Sequence, residues 1–300
     1  MSEGAGKVVL LGGTGFVGSA LRAALPSATL LRSRTRGAGG YDVASGWMDP
    51  EALRGADAVV NLAGSPISVR WTARARAEIR SSRSDATALL VDTLARAGVA
   101  PRVVVSMSGA NRYAPHPDAV LDESAPLDDG SFLGGVCRDW EAPLSRLPAA
   151  TRVAILRTGV VIGPGGAMAK LAPVFRLGLG GPLGGGGQWM PWIDRGDLVR
   201  LILRCLAPDG PAGVLNAVHP EPVTNREFTR VVARALRRPA FLPAPAFALR
   251  LAYGQMAQEA LLDSRRVVPL AALRAGFRYD APGSPLAASV ARALSGLARA

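Results

Sequence analysis

The segment that most constrains this chain is Gly12-Gly13-Thr14-Gly15-Phe16-Val17-Gly18, a G-x-x-G-x-x-G string that follows the apolar run KVVLL at residues 7–11. A short run rich in β-branched residues that ends in glycine reads as a buried parallel strand. After the glycines, residues 19–25 (SALRAAL) have helical spacing and stop at Pro26. Strand, glycine turn and helix in this order are the context in which such a string binds a dinucleotide. One glycine permits the tight turn, one lets backbone approach a pyrophosphate, and one lets helix and strand pack closely. The helix then aims free N–H groups and its positive dipole end at the phosphates.

The pattern continues in the same vein. Further strands are expected at residues 29–32, 56–62, 102–106 and 152–156, with a long helical stretch over 72–97. Strands alternating with helices define an α/β class, a Rossmann doubly wound parallel sheet. Beyond Leu156 the composition changes, and residues 163–187 are dense in glycine and proline around the apolar stretch 168–177. A long loop between ordered elements is more often functional than accidental. Residues 197–206 read as a helix returning to the first unit. Thr224 with Glu227 three residues on is a capping box for a helix over 226–236. The expected organisation is a dinucleotide-binding domain over 1–162, to which 190–217 returns. A smaller C-terminal substrate-side domain is expected from 163–189 and 218–300.

Composition narrows the partners. Of 300 residues, 49% are hydrophobic and 19% charged, enough apolar content for a folded core. No apolar run reaches the ~18–20 residues that cross a bilayer, and the N-terminal residues lack a signal-peptide pattern, so a cytoplasmic location is expected. Cys137, Cys205, His116 and His219 lie far apart, a spacing that fits neither a metal site nor a disulfide framework. The net charge of +12 comes from arginines scattered through helical segments, with Lys7 and Lys170 the only lysines, and aromatics make up 5%. That distribution offers neither a charge block nor a stacking platform for nucleic acid. A small molecule is the expected partner.

The end of the second strand bears on which dinucleotide is taken. An NAD site places an acid there, about 20 residues past the turn, for the ribose 2′-hydroxyl. Here the stretch reads Leu31-Arg32-Ser33-Arg34-Thr35-Arg36, without an acid. Guanidinium groups suit a 2′-phosphate. NADP(H) is therefore favoured over NAD(H), with Arg34 foremost among Arg32, Ser33 and Arg34. The alternative is a solvated basic loop.

These residues resemble the extended short-chain dehydrogenase/reductase superfamily, also called the NAD-dependent epimerase/dehydratase family. The Gly12 to Gly18 turn matches its fingerprint, and Asn61-Leu62-Ala63-Gly64 resembles its N-x-A-G element. Arg157-Thr158-Gly159 with Gly163-Pro164 resembles its R…G-P stretch, and Trp192-Ile193 to Asp197-Leu198 the element that leads into a helix. More narrowly, the chain is similar to the bacterial "epimerase family" branch that carries a C-terminal domain of unknown function. The strings that carry this are CRDWE at 137–141, FRLGLGGPL at 175–183, QWMPWI at 188–193 and NAVHPEPVTNREF at 216–228. The branch typically reads W-I-H-x-D-D-L, where this chain has Asp194 and Gly196 in place of the histidine and an acid. Together with the turn, the resemblance implies cofactor contacts from Gly12, Thr14, Gly15, Phe16, Val17, Gly18, Leu62, Ala63, Gly64, Ser106 and Arg157. It implies a substrate pocket near Cys137, Met190 and Trp192.

Ordinary members of the superfamily carry Tyr and Lys as Y-x-x-x-K on one helix, the Lys lowering the Tyr pKa so that the phenol moves a proton as hydride moves. None of Tyr41, Tyr113, Tyr253 and Tyr279 has Lys four residues on. Counting back from Trp140-Glu141 puts the Tyr position near Leu133 and the Lys position near Cys137. A cysteine supplies no cation. The candidate stand-ins are Ser108, at the end of the fifth strand, and Tyr113 just beyond it. Two functions follow: an NADP(H)-dependent oxidoreductase or epimerase-like enzyme acting on a small molecule, or a non-catalytic NADP(H)-binding sensor or scaffold.

Overall fold

A computed structural model describes residues 6–280 and 285–298. The first half runs β1 (Lys7–Leu11), α1 (Phe16–Ala24), β2 (Thr29–Ser33), β3 (Gly40–Asp42), β4 (Trp47–Met48), α2 (Pro50–Leu53) and β5 (Ala56–Asn61). It continues with α3 (Ala73–Arg80), α4 (Ala86–Arg96), β6 (Val103–Gly109), β7 (Val120–Leu121), α5 (Phe132–Glu141) and β8 (Arg152–Thr158). Next come β9 (Val160–Ile162), α6 (Gly166–Arg176), β10 (Trp189–Met190), β11 (Trp192–Asp194), α7 (Arg195–Leu206) and β12 (Gly213–Ala217). The remainder is β13 (Val223–Thr224), α8 (Asn225–Leu236), α9 (Ala246–Tyr253), α10 (Gln255–Ala257), β14 (Arg266–Val267), α11 (Leu270–Arg274) and α12 (Pro285–Leu297).

Eight strands form one sheet in the order β12-β8-β6-β5-β1-β2-β3-β4. All neighbours are parallel except the β3–β4 pair. The chain leaves β1 in one direction for β2 and in the other for β5, so a crevice opens beyond the carboxyl end of β1. Register brings the functional strand ends into line: Leu11 lies opposite Leu31 and Asn61, Asn61 opposite Ser106, and Ser108 opposite Arg157. Continuous apolar runs such as Val8–Leu11 and Val103–Val105 suit strands buried on both faces. On one face Leu10, Val60, Val105 and Leu156 pack with Leu198, Leu201 and Ile202 of α7. On the other, Val9, Leu11, Val59 and Val104 pack with Leu53 of α2 and Leu90 and Leu94 of α4.

The 72–97 stretch is continuous but not uniform. Thr72 caps α3 by accepting from the Ala75 N–H, and a π-turn at Ser81–Asp85 joins α3 to α4. Such an inserted residue re-aims the side chains next to it. The glycine-rich stretch 163–187 is not all loop, since its apolar centre forms α6. The Thr224–Glu227 capping box is present in full at the start of α8. A second core gathers Met168 and Phe175 of α6, Trp192, Phe228 and Val232 of α8, and Val290 and Leu294 of α12. The structure departs from the expected boundaries after β14. Ala272 of α11 and Phe277 join the core of the large sheet beside Leu215 of β12, because both are apolar and the chain crosses that face there. Among the described residues, no helix is long and apolar enough to cross a membrane.

Candidate dinucleotide groove and adjoining cavity

The glycine turn folds as its residues dictate. Gly12 has φ +74°, and a Cβ there would lie 2.6 Å from the Leu62 carbonyl oxygen. Only glycine satisfies both demands. A Cβ on Gly18 would collide with the Gly12 carbonyl and lie 2.7 Å from Gly13 Cα, so α1 rests directly on the turn. Gly15 stands at the N-cap of α1 without a side-chain acceptor, and no acid occupies the first turn. The first N–H groups of α1 therefore keep their capacity for an anion.

A groove of about 650 Å³ opens beside this turn. Its walls include Gly12, Thr14 and Gly15, then Leu62, Ala63 and Gly64 after β5, and Ser33 and Arg34 after β2. Arg34 holds φ +54°, an uncommon conformation for a side-chain-bearing residue. Its guanidinium meets Glu78 Oε1 at 2.6 Å, with the two side chains 78% and 46% exposed, so this pair is open to exchange with a bound anion. Asp42 and Asp85 also line the groove. Asp42 is already engaged by Ser45 and by Arg36 at 2.9 Å, contacts that hold its carboxyl below the usual range.

Several expected contacts lie elsewhere. Arg32 does not line the groove, because it donates to the Ala38 carbonyl on the outer side of β2. Phe16 packs its ring under the Arg195 guanidinium, 5.0 Å away, and Val17 packs against the main core. With Gly18, these residues offer backbone alone. Ser106 is fully buried and receives a hydrogen bond from Asn61 Nδ2, below the groove floor. Asn61 also donates to Thr87 and accepts from the Ala63 N–H, which fixes the loop that forms the wall.

A second cavity of about 390 Å³ lies between the sheet unit and the second core. Its walls are largely apolar: Leu133, Val136, Trp140, Leu171, Met190 and Phe228 are among them. Leu133 and Cys137 both line it, so α5 presents the expected face without either reactive group. Burial, followed by the Glu141 charge, pushes the Cys137 thiol up to about 11. A protonated, enclosed thiol is no nucleophile. Ser108 lines the cavity as well, but its hydroxyl donates to Glu141 Oε1 at 2.6 Å.

Glu141 is the centre of a buried knot. Arg157 clasps it through two hydrogen bonds of 2.9 and 2.8 Å, and the Arg157 guanidinium lies 4.9 Å from the Tyr113 ring centroid. Arg157 lines neither groove nor cavity, so its charge is spent on Glu141 instead of a cofactor. Tyr113 is likewise sealed, its hydroxyl donating to Asn216 Oδ1 at 2.7 Å, and burial raises its pKa despite the nearby Arg157. It reaches neither opening and is not placed to move a proton for a ligand. Trp192 is in the second core, with its indole N–H on the Glu221 carbonyl and its ring stacked on His219 at 4.5 Å. Met190, by contrast, does line the cavity.

Sequence reasoning missed Glu78, Ser82 and Asp85 on the groove and Arg83 on the cavity, all placed by α3 and the π-turn. Asp194, where the related branch has histidine, caps α7 by accepting from Gly196 N–H and pairs with Arg292 at 2.8 Å.

A doubly wound sheet with a glycine turn, a helix N-terminus without a side-chain cap and a groove at its switch point defines a Rossmann-type dinucleotide-binding fold. The profile of the NAD dependent epimerase/dehydratase family matches residues 8–217, and the chain belongs to that family. A domain of unknown function matches residues 244–285. An epimerase family protein of Mycobacterium bovis is 40% identical over 282 residues, covering 91% of this chain and 93% of that protein. Epimerase family protein SDR39U1 of Homo sapiens is 37% identical over 286 residues, covering 92% and 96%. The crystal structure of human SDR39U1 (isoform 2) with NADPH superposes with a TM-score of 0.85 at 36% identity, covering 96% of this chain and 99% of that one.

Proposed function

We propose that this chain is an NADP(H)-dependent oxidoreductase of the cytoplasm that reduces a small, largely apolar carbonyl compound without a Tyr–Lys pair. The observation that carries this reading is the adjacency of groove and cavity, whose walls meet at Ser65–Ile67 and Ser82–Arg83. Gly64 and Ser65 line the groove, while Arg83, which donates to the Ser65 carbonyl at 2.9 Å, lines the cavity. A ligand that runs from the glycine turn past Ser65 would enter this largely apolar cavity. The NADPH bound to a relative similar over nearly the whole chain supports the choice of cofactor.

The residues divide the work as follows. The first N–H groups of α1 hold the pyrophosphate, and Arg34 exchanges Glu78 for a 2′-phosphate. A nicotinamide supplies or accepts a hydride when bound. Leu133, Val136, Trp140, Met190 and Phe228 exclude water and orient the substrate by shape. Holding two reactants in place is itself a large part of catalysis. Ser108 lines the cavity with its proton turned toward Glu141 behind it, so it offers lone pairs alone, and the proton that completes carbonyl reduction would have to reach the product oxygen from solvent.

A second reading, a non-catalytic NADP(H)-binding sensor, is favoured by one observation: Leu133, Cys137 and sealed Tyr113 leave no phenol facing the cavity. Turnover separates the two. The purified chain is incubated with NADPH carrying deuterium at the transferable position and a panel of aldehydes and ketones, and products are read by mass spectrometry. Deuterium in a product supports the enzyme. Tight NADPH binding with no label transferred to any carbonyl supports the sensor.

A further inference from the structure

The guanidinium of Arg83 stands between the two openings without a carboxylate partner among the described residues. Arg83 projects from the π-turn between α3 and α4 into the seam between groove and cavity. No carboxylate lies within ion-pairing distance of it among the described residues, in a chain where Arg34, Arg157 and Arg265 all have acidic partners. Its Nη1 donates to the Ile79 carbonyl at 3.1 Å and to Ser82 Oγ at 3.4 Å, and Nη2 to the Ser65 carbonyl at 2.9 Å. The plane lies 5.2 Å from the Trp140 ring centroid and against Gly64, where a Cβ would meet Cζ at 3.0 Å. These contacts fix the group and leave Nε and part of the fork without acceptors, since a guanidinium carries five N–H donors. Burial lowers its pKa, which is the cost of holding a cation here.

Arg83 is half-buried, and a cation withdrawn from water without a carboxylate beside it is costly unless something meets it. Arg83 faces the same chamber as Cys137, three residues before Trp140 on α5, and its charge acts on that thiol. Gly64 has no side chain, and a Cβ there would crowd the guanidinium at 3.0 Å. The geometry therefore keeps a cation between the groove wall at Gly64–Ser65 and the chamber at Cys137. A dinucleotide that starts at the glycine turn and ends in the chamber passes this point with its second half.

We infer that Arg83 is a cofactor-binding residue that donates to the ribose oxygens of the nicotinamide half, giving from the π-turn the fixed positive charge that α5 lacks. This rests on the reading of the groove as a dinucleotide site. It separates two kinds of contact along one ligand: Arg34 on the phosphate-bearing adenosine end, Arg83 on the other.

The test uses two ligands, NADPH and 2′,5′-ADP, which has the 2′-phosphate and adenosine but no nicotinamide half. Each is titrated by calorimetry into the full wild-type chain, Arg83→Gln and Arg83→Lys. Charged hydrogen bonds of this kind correspond to about a ten- to hundredfold change in affinity. Arg83→Gln is expected to weaken NADPH by that factor and leave 2′,5′-ADP within about twofold, with Arg83→Lys between the two; twofold is only a few tenths of a kcal/mol. Retained 2′,5′-ADP binding shows at the same time that the variant is folded. An Arg83→Gln chain that binds NADPH as wild type does, or that weakens both ligands equally, overturns the inference while the groove reading stands. A wild-type chain that binds neither ligand overturns both.

Discussion

Arg34 offers the sharpest quantitative expectation. Its guanidinium is 78% exposed and paired with Glu78, which is 46% exposed and also takes a hydrogen bond from Ser65 Oγ at 2.8 Å. An exposed ion pair is worth about 0–1 kcal/mol. A charged hydrogen bond to phosphate is worth roughly 1.5–3 kcal/mol where water is excluded, and less at this open edge. Binding a 2′-phosphate trades the first for the second, so Arg34→Ala should cost NADPH about 1–2 kcal/mol, or roughly five- to thirtyfold. NADH lacks that phosphate, and its affinity should stay within about twofold. The competitor can be removed as well. Glu78→Gln frees the guanidinium and takes away a nearby negative charge, so NADPH should bind about two- to fivefold more tightly. Both effects should shrink as salt is raised, because the groups are exposed. Calorimetric titration of both cofactors at two ionic strengths reads all of this. Equal losses for NADPH and NADH in Arg34→Ala, or weaker NADPH binding in Glu78→Gln, would refute the reasoning.

Four further outcomes follow from the buried positions. Glu141→Gln leaves Arg157 buried and unpaired, and urea denaturation should show a loss of about 3–5 kcal/mol. Gly18→Ala forces a methyl against Gly13 Cα and the Gly12 carbonyl, and should cost about 1–3 kcal/mol of stability together with cofactor binding. The Cys137 thiol, pushed up to about 11 from an ordinary 9.0, should resist iodoacetamide in the native chain at pH 8 and react once unfolded. The same shift sets a sign for stability. Between pH 9 and about 11 the unfolded chain holds fewer protons at this thiol than the folded one, so stability falls as pH rises, and Cys137→Ala should flatten that slope in thermal melts.

The Rossmann sheet was legible because each signal is local. The run KVVLL, the glycines after it and the helix beyond act through backbone φ, close approach and periodicity within about a dozen residues. Gly12, Thr14, Gly15, Ser33, Arg34, Leu62, Ala63 and Gly64, read from the turn and the strand ends beside it, all line one groove. The side-chain network was not legible. Arg157 and Tyr113 sit at strand ends that look functional, yet Glu141 and Asn216, far away in sequence, claim their polar atoms. Trp192 reads as a pocket wall from its string, but β11 pairs with β9 and turns the ring into the second core. Arg83 was hidden by a π-turn, whose extra residue changes the face a side chain takes and leaves no mark in helical periodicity. Likewise, α6 lay within a glycine-rich stretch whose composition masks eleven helical residues.

The groove at the glycine turn is proposed as an NADP(H) site. Its most direct test is calorimetric titration of the wild-type chain with NADPH and with NADH in one buffer at one salt concentration. One NADPH per chain is expected, held at least about tenfold more tightly than NADH, as a 2′-phosphate on Arg34 requires. Equal or tighter NADH binding would contradict the choice of cofactor, and no binding of either would contradict the site itself.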